Sequence, residues 1–262
     1  MIDSHAHVHD RAFDEDRDAV MARARESGVE SIITVGCDLA DSRRAIDVAA
    51  QYGILASVGI HPHEAKDAPD DIAAAFAPLL EERGVVGIGE TGLDFYYDHS
   101  PHDVQERALR AQIHIARERA LPLIFHIRDA HERFVEVLRE ELAPGTRGVV
   151  HCFTGNAAQA RVYVEEFGLF LGIGGVITFK TAGPLRDTVK AVGLEALLLE
   201  TDCPYLAPTP MRGKRNEPAF LTHVVERIAQ MLGVDRATVV NSTTRNATSL
   251  FGITGSRLTT TQ

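Results

Sequence analysis

Six residues of the kinds that hold metal ions stand where short apolar runs end: His5, His7, Glu90, His126, His151 and Asp202. His5 and His7 are two apart, so on an extended chain both imidazoles face one side and can share a cation. Glu90 lies in Gly87-Ile88-Gly89-Glu90-Thr91-Gly92-Leu93-Asp94. The bare backbone there admits metal or substrate, and two carboxylate oxygens can bridge two ions. None of the lysines, Lys66, Lys180, Lys190 and Lys214, ends a middle strand and so none competes with Glu90 as the bridge. His126 follows Pro122-Leu123-Ile124-Phe125, and His151 follows Val149-Val150. An imidazole buried behind such runs is costly without a partner. Either one alone reads as a buried, hydrogen-bonded core histidine; together, on successive strands, they favour ligation. Asp202, before the turn at Pro204, can ligate and accept a proton from water. Glu200 shares its inward face and is expected to orient a ligand, with a buried ion pair as the alternative. This set predicts hydrolysis assisted by two divalent metal ions, with Asp202 and Glu90 as the catalytic carboxylates; imidazole and carboxylate donors suit Zn, Mn, Fe or Ni, whereas Mg usually prefers oxygen ligands.

Other groups read as substrate contacts. His61 and His63 follow the third apolar run in Gly59-Ile60-His61-Pro62-His63, and Arg128 comes two residues after His126. Phe95-Tyr96-Tyr97 can stack a base. Arg212-Gly213-Lys214-Arg215-Asn216 precedes a helix start, a place that favours phosphate, and Arg215 is its expected contact. Solvated loops and a covered barrel end are the plainer alternatives for each.

A scaffold must bring these residues together. Apolar runs at residues 2–7, 31–36, 54–60, 85–90, 121–127, 148–152, 169–174 and 196–201 read as parallel strands covered on both sides. Periodic charged segments separate them, among them residues 14–27, 42–52, 103–119 and 217–232. Strand and helix alternating eight times is the single (β/α)₈ TIM-barrel pattern, which gathers strand C-termini at one face. One barrel domain is expected over residues 1–253, with a flexible C-terminal tail at 254–262.

Composition narrows the function. With 262 residues, 45% hydrophobic and 24% charged, the chain can bury a large core without staples. Three cysteines without paired spacing predict a reducing, cytoplasmic setting. The N-terminus shows no leader pattern, and no run approaches the roughly 18 apolar residues of a membrane span. A net charge of −10 argues against an extended nucleic-acid surface. An enzyme gripping a few phosphates needs only local positive charge, which two divalent cations supply. No obligate protein partner is evident.

The chain resembles the TatD family of metal-dependent deoxyribonucleases. The matching segments are Asp3-Ser4-His5-Ala6-His7, Gly59-Ile60-His61-Pro62-His63, Gly89-Glu90-Thr91-Gly92-Leu93-Asp94-Phe95, His126-Ile127-Arg128-Asp129-Ala130, His151-Cys152-Phe153-Thr154-Gly155, the run from Glu200 through Asp202-Cys203-Pro204 to Pro208, and Arg215-Asn216-Glu217-Pro218. They run in order over nearly the whole chain. The resemblance implies an amidohydrolase-like TIM barrel with His5, His7, Glu90, His126, His151 and Asp202 as metal ligands. It also implies cleavage of DNA phosphodiester bonds from the 3′ end, on single-stranded or frayed ends, with Mg²⁺ commonly supporting activity. The rival expectation is a barrel enzyme of the same group acting on a lactone, amide or phosphotriester.

Overall fold

The computed structural model describes residues 1–253; the tail expected at 254–262 lies outside the described residues. Eight parallel strands form one sheet in chain order. They are β1 (Ile2–Ala6), β2 (Ser31–Val35), β3 (Leu55–Val58), β4 (Val85–Asp94), β5 (Leu123–Arg128), β6 (Gly148–Val150), β7 (Phe170–Ile173) and β8 (Leu197–Leu199). The first and last strands meet and nearly close the cylinder. Ser4 Oγ donates to Leu199 O at 3.0 Å, Asp202 N–H to His5 O at 2.9 Å and His7 N–H to Cys203 O at 2.8 Å.

Between the strands run α1 (Arg17–Glu26), α2 (Leu39–Tyr52), α3 (Ile72–Leu80), α4 (His102–Arg119), α5 (His131–Glu141), α6 (Ala157–Arg161) and α7 (Gly183–Val192). After β8 come α8 (Leu221–Leu232) and α9 (Arg236–Phe251). Local chemistry sets these limits. Asp38 accepts the Asp41 N–H to start α2, and Gly53 ends it at a left-handed φ of 68°. Helix α8 buries Leu221, Val224, Val225 and Ile228, the three-and-four spacing of an inward stripe.

Two apolar layers result. Phe13, Phe76, Phe134, Val137 and Leu138 belong to the layer between strands and helices. Ile33, Leu55, Val86, Ile124, Val149 and Leu198 fill the barrel interior, joined by Leu250, Phe251 and Ile253. These last residues end α9 and follow it, so the ninth helix, which lies beyond the eight-unit pattern, plugs the strand N-terminal end. The opposite end of the interior is polar.

Irregular register aims the polar residues. Ile2 belongs to the inner layer, whereas Ala6 and Val8 belong to the outer one. The β1–β2 register shifts between Asp3 and Ala6. A one-residue shift exchanges the two faces of a strand, which turns His5 and His7 inward. Strand β4 carries two such irregularities, one against β3 and one against β5 between Ile88 and Thr91. It also runs on to Asp94, so Glu90 sits within the strand and not at its end as the apolar pattern predicts.

Candidate metal centre

Glu90 is the hub of the polar end. Its Oε2 lies 3.3 Å from His5 Nε2 and 4.0 Å from His7 Nε2. Its Oε1 lies 2.9 Å from His126 Nδ1, 3.6 Å from His61 Nε2 and 3.7 Å from His151 Nε2. Asp202 Oδ1 faces the same space, 3.5 Å from His7 Nε2 and 3.9 Å from both His5 and His151 Nε2. His5 and His151 stack at 3.5 Å between ring centroids.

Hydrogen bonds and close contacts with carboxylates orient these rings. His7 Nδ1 donates to Val35 O at 2.8 Å, leaving the Nε2 lone pair to face His5 Nε2 at 3.2 Å. Glu200 Oε1 lies 3.0 Å from His151 Nδ1 and accepts the Cys152 N–H at 2.6 Å. Asp94 Oδ2 lies 3.0 Å from His126 Nε2 and 2.9 Å from His63 Nε2, and Oδ1 accepts the N–H groups of Tyr96 and Tyr97. If the neutral His126 ring donates its Nε2–H to Asp94, Nδ1 and Glu90 Oε1 are two acceptors in contact. Against burial, Asp94 and Glu90 raise the His126 pKa, so the arrangement favours a positive charge between Nδ1 and Oε1, supplied by a proton or by a metal ion.

The electrostatics agree. Burial would raise the Glu90 pKa, yet the imidazoles of His151, His5, His61 and His126 hold it well below the usual range. Asp202 is likewise lowered against burial by His151, His7 and His5. Burial disfavours a charged His151, but Glu200, Glu90 and Asp202 outweigh it and raise the pKa to about 9. Burial drives His61 well down. The centre is a set of ionised carboxylates meshed with imidazoles.

Donor atoms all lying within 4.8 Å of one another form overlapping groups: His5, His7 and Glu90; His5, His151 and Asp202; His61, Glu90 and His126. Mixed imidazole and carboxylate donors with inward lone pairs fit divalent transition metals and zinc. His151 groups with His5 and Asp202, and His126 with His61 and Glu90, while His126 and His151 both approach Glu90 Oε1.

The backbone makes room for this density. Any Cβ on Gly92 (φ 154°) would strike the carbonyl of His126, and one on Gly172 would strike the Glu200 carboxylate. Asp129, Cys152 and Asp202 adopt left-handed φ of 52°, 45° and 56° just after β5, β6 and β8. Non-glycine residues in this region are strained, and such strain gathers at functional sites.

The centre opens into a cavity of about 610 Å³ that also takes in His61, His63, Arg128, Tyr97 and Tyr205. Arg128 stacks over Tyr96 and Tyr97 at 4.0 and 4.5 Å. Arg215, the expected phosphate contact, does not line it. Its guanidinium is held by both Asp16 carboxylate oxygens at 2.8 and 2.6 Å and lies 4.5 Å over the Phe13 ring. The basic loop thus pins itself to the loop after β1. Sequence reasoning passed over Asp94, although a second carboxylate four residues after Glu90 in one glycine-rich run was a visible signal. It also placed His61 as a substrate contact, whereas its Nε2 faces Glu90.

Known proteins share this architecture. The family model described as TatD related DNase matches residues 2–252. The chain belongs to the TatD family. It is 41% identical over 254 residues to an uncharacterized metal-dependent hydrolase, YabD, of Bacillus subtilis, covering 97% of this chain and 99% of that one. It is 39% identical to the 3′-5′ ssDNA/RNA exonuclease TatD of Cronobacter sakazakii, covering 96% and 97% of the two chains. The crystal structure of YJJV, a TatD homolog of Escherichia coli, superposes with a TM-score of 0.90 at 30% identity over 97% of this chain and 98% of that one. As a TatD-family member the protein is a metal-dependent hydrolase on a TIM barrel. Among the described residues no helix is long and apolar enough to cross a membrane.

Proposed function

We propose that this TatD-family hydrolase cleaves phosphodiester bonds of DNA, removing nucleotides from single-stranded or frayed 3′ ends. The observation that carries the reading is the division of Glu90: one oxygen toward His5 and His7, the other toward His61, His126 and His151. That geometry suits a carboxylate bridging two divalent ions, with Asp202 completing the donor set. Bound ions there would polarise the phosphoryl group and make water a better nucleophile. The chain's own residues do the rest. Asp202, ionised and facing the cavity, accepts the water's proton. Glu200 and Asp94 hold the rings of His151 and His126. Arg128 and His63 contact the phosphates flanking the scissile bond.

The cavity's charge supports metal loading before substrate capture. Asp10, Asp38, Asp41, Glu64, Glu90 and Asp202 line it against one arginine, Arg128. A phosphate meets net repulsion there until cations are in place. Tyr96, Tyr97 and Tyr205 are the exposed large hydrophobics of the described chain, and all three lie at this mouth. Exposed aromatics on a phosphate-binding rim suit stacking of unpaired bases. The relatives named as 3′-5′ exonucleases support the polarity. Three free cysteines are consistent with a cytoplasmic site of action.

The test is a time course with Mg²⁺, Mn²⁺ or Zn²⁺ on 5′-labelled linear and circular single-stranded DNA of equal length. A ladder receding from the 3′ end with the circle intact is expected. Rapid cutting of the circle defeats the exonuclease reading. Turnover of p-nitrophenyl acetate with no cleavage of either DNA turns the assignment to an ester hydrolase.

A further inference from the structure

A second cavity, of about 340 Å³, lies beside the mouth between the segments that follow β7 and β8. Lys180 and Phe179 come from the loop after β7, Arg186 from α7, Thr209 from the loop after β8, and His223 and Arg227 from α8. In TIM barrels the segments after strands seven and eight frequently build a phosphate site.

Its charge runs against that of the protein. Lys180, Arg186 and Arg227 line it, and Arg212 stacks 3.9 Å over the ring of Phe179. Other arginines that converge on one place, such as Arg110 and Arg133, are tied together by a shared carboxylate, Glu106. Here Arg186 donates to the carbonyls of Ile177 and Phe179, and Arg227 to Gln230. Among the described residues none of these four cations has a carboxylate within salt-bridge distance. The cavity's one carboxylate, Glu226, faces Arg236 at 3.5 Å. Arg227 also keeps a buried Nε that meets no acceptor. A buried donor without a partner is costly, and nothing among the described residues offsets the charge that Arg227 brings to this wall.

The two cavities adjoin. Tyr205 and Leu206 line the mouth, Thr209 lines the second cavity, and the Thr209 N–H donates to Thr178 Oγ1 at 2.8 Å. Three residues from Leu206 to Thr209 span at most about 11 Å. Exposed Tyr205 stands on the mouth side of that path. We propose that the Lys180–Arg186–Arg227 cavity binds the phosphodiester backbone of the single strand upstream of the nucleotide in the metal centre. This deepens the nuclease reading: the acidic mouth takes the terminal nucleotide, and the cationic cavity holds the strand that remains. It rests on that reading for the identity of its ligand.

The experiment uses full-length protein and two readouts. The first is fluorescence anisotropy of a 5′-labelled ten-residue oligothymidylate with phosphorothioate linkages, which slow turnover while the metal stays in place. The second is kcat/KM of the metal-loaded enzyme on a thymidine dinucleotide and on the decamer. Lys180→Glu, on an exposed loop, and Lys180→Glu/Arg227→Glu are compared with Arg83→Glu/Arg117→Glu, an equal charge change elsewhere. The cavity variants are expected to bind the decamer roughly tenfold more weakly, with the salt slope reduced by about 0.7 for each phosphate no longer gripped. Their decamer kcat/KM falls while dinucleotide turnover stays within twofold. Lys180→Glu is the deciding variant should the double variant fold poorly. Decamer binding unchanged by Lys180→Glu, or weakened equally by the control pair, overturns the proposal. An equal loss on the dinucleotide does so too, because it removes the separation of the two sites. If no protein cleaves DNA with any metal but the binding pattern holds, the nuclease reading falls and the cavity's assignment to a phosphodiester backbone stands.

Discussion

Asp94 holds His126 from behind: its Oδ2 lies 3.0 Å from His126 Nε2, while His126 Nδ1 lies 2.9 Å from Glu90. The same carboxylate receives His63 and the backbone of Tyr96 and Tyr97. It therefore ties the proposed ligand to the aromatic rim. Groups that orient a ligand in this way typically cost 10–100-fold in metal affinity or activity when removed. Asp94→Ala is expected to lose activity on that scale, with part of the loss restored by raising the metal concentration. Titration of activity against metal checks this, and wild-type metal dependence would show that Asp94 has no hold on the centre.

Glu90 and His126 separate a bridging role from an ordinary one. If Glu90 spans two ions, Glu90→Ala loses both, whereas His126→Ala loses one and keeps the ion held by His5 and His7. Metal content after gel filtration, measured beside circular dichroism to confirm folding, is the readout. Equal loss of a single ion in both variants contradicts the bridge.

Asp202→Asn preserves shape and removes a charge and a proton acceptor. Loss of general-base help costs about 10²–10⁴-fold in rate. The variant is expected to fall by at least that much in kcat, with KM for the decamer changed far less. Activity within threefold of wild type removes Asp202 from both proposed roles.

Arg215→Ala is expected to act on stability and not on catalysis. Arg215 is bound to Asp16 through both carboxylate oxygens, at a partly exposed position. Such pairs contribute about 1 kcal/mol or less, which corresponds to a Tm decrease of roughly 2–4 °C for a chain of this size. kcat/KM on short DNA should stay within twofold. A tenfold rise in KM with an unchanged Tm would return Arg215 to the substrate.

The sequence by itself determined the barrel and the identity of its polar residues. Eight apolar runs separated by periodic charged segments have few solutions other than parallel strands covered by helices, because each run must be buried on both faces. Such a barrel collects the residues in and after the C-terminal half of each strand, which is why His5, Glu90, His126, His151 and Asp202 were legible as one set. What the pattern could not convey was direction. Register shifts in β1 and β4 turn His5, His7 and Glu90 inward, and a shift of one residue leaves no mark on the order of apolar and polar letters. The grouping of His126 with His61 and of His151 with His5 depends on how far each strand reaches across the barrel. Arg215 and Lys180 show the same limit for charge. One is tied to Asp16, almost two hundred residues away, and the other meets no carboxylate among the described residues. A sequence shows which charges exist, but only folding decides which of them are neutralised by a partner and which remain available to a ligand.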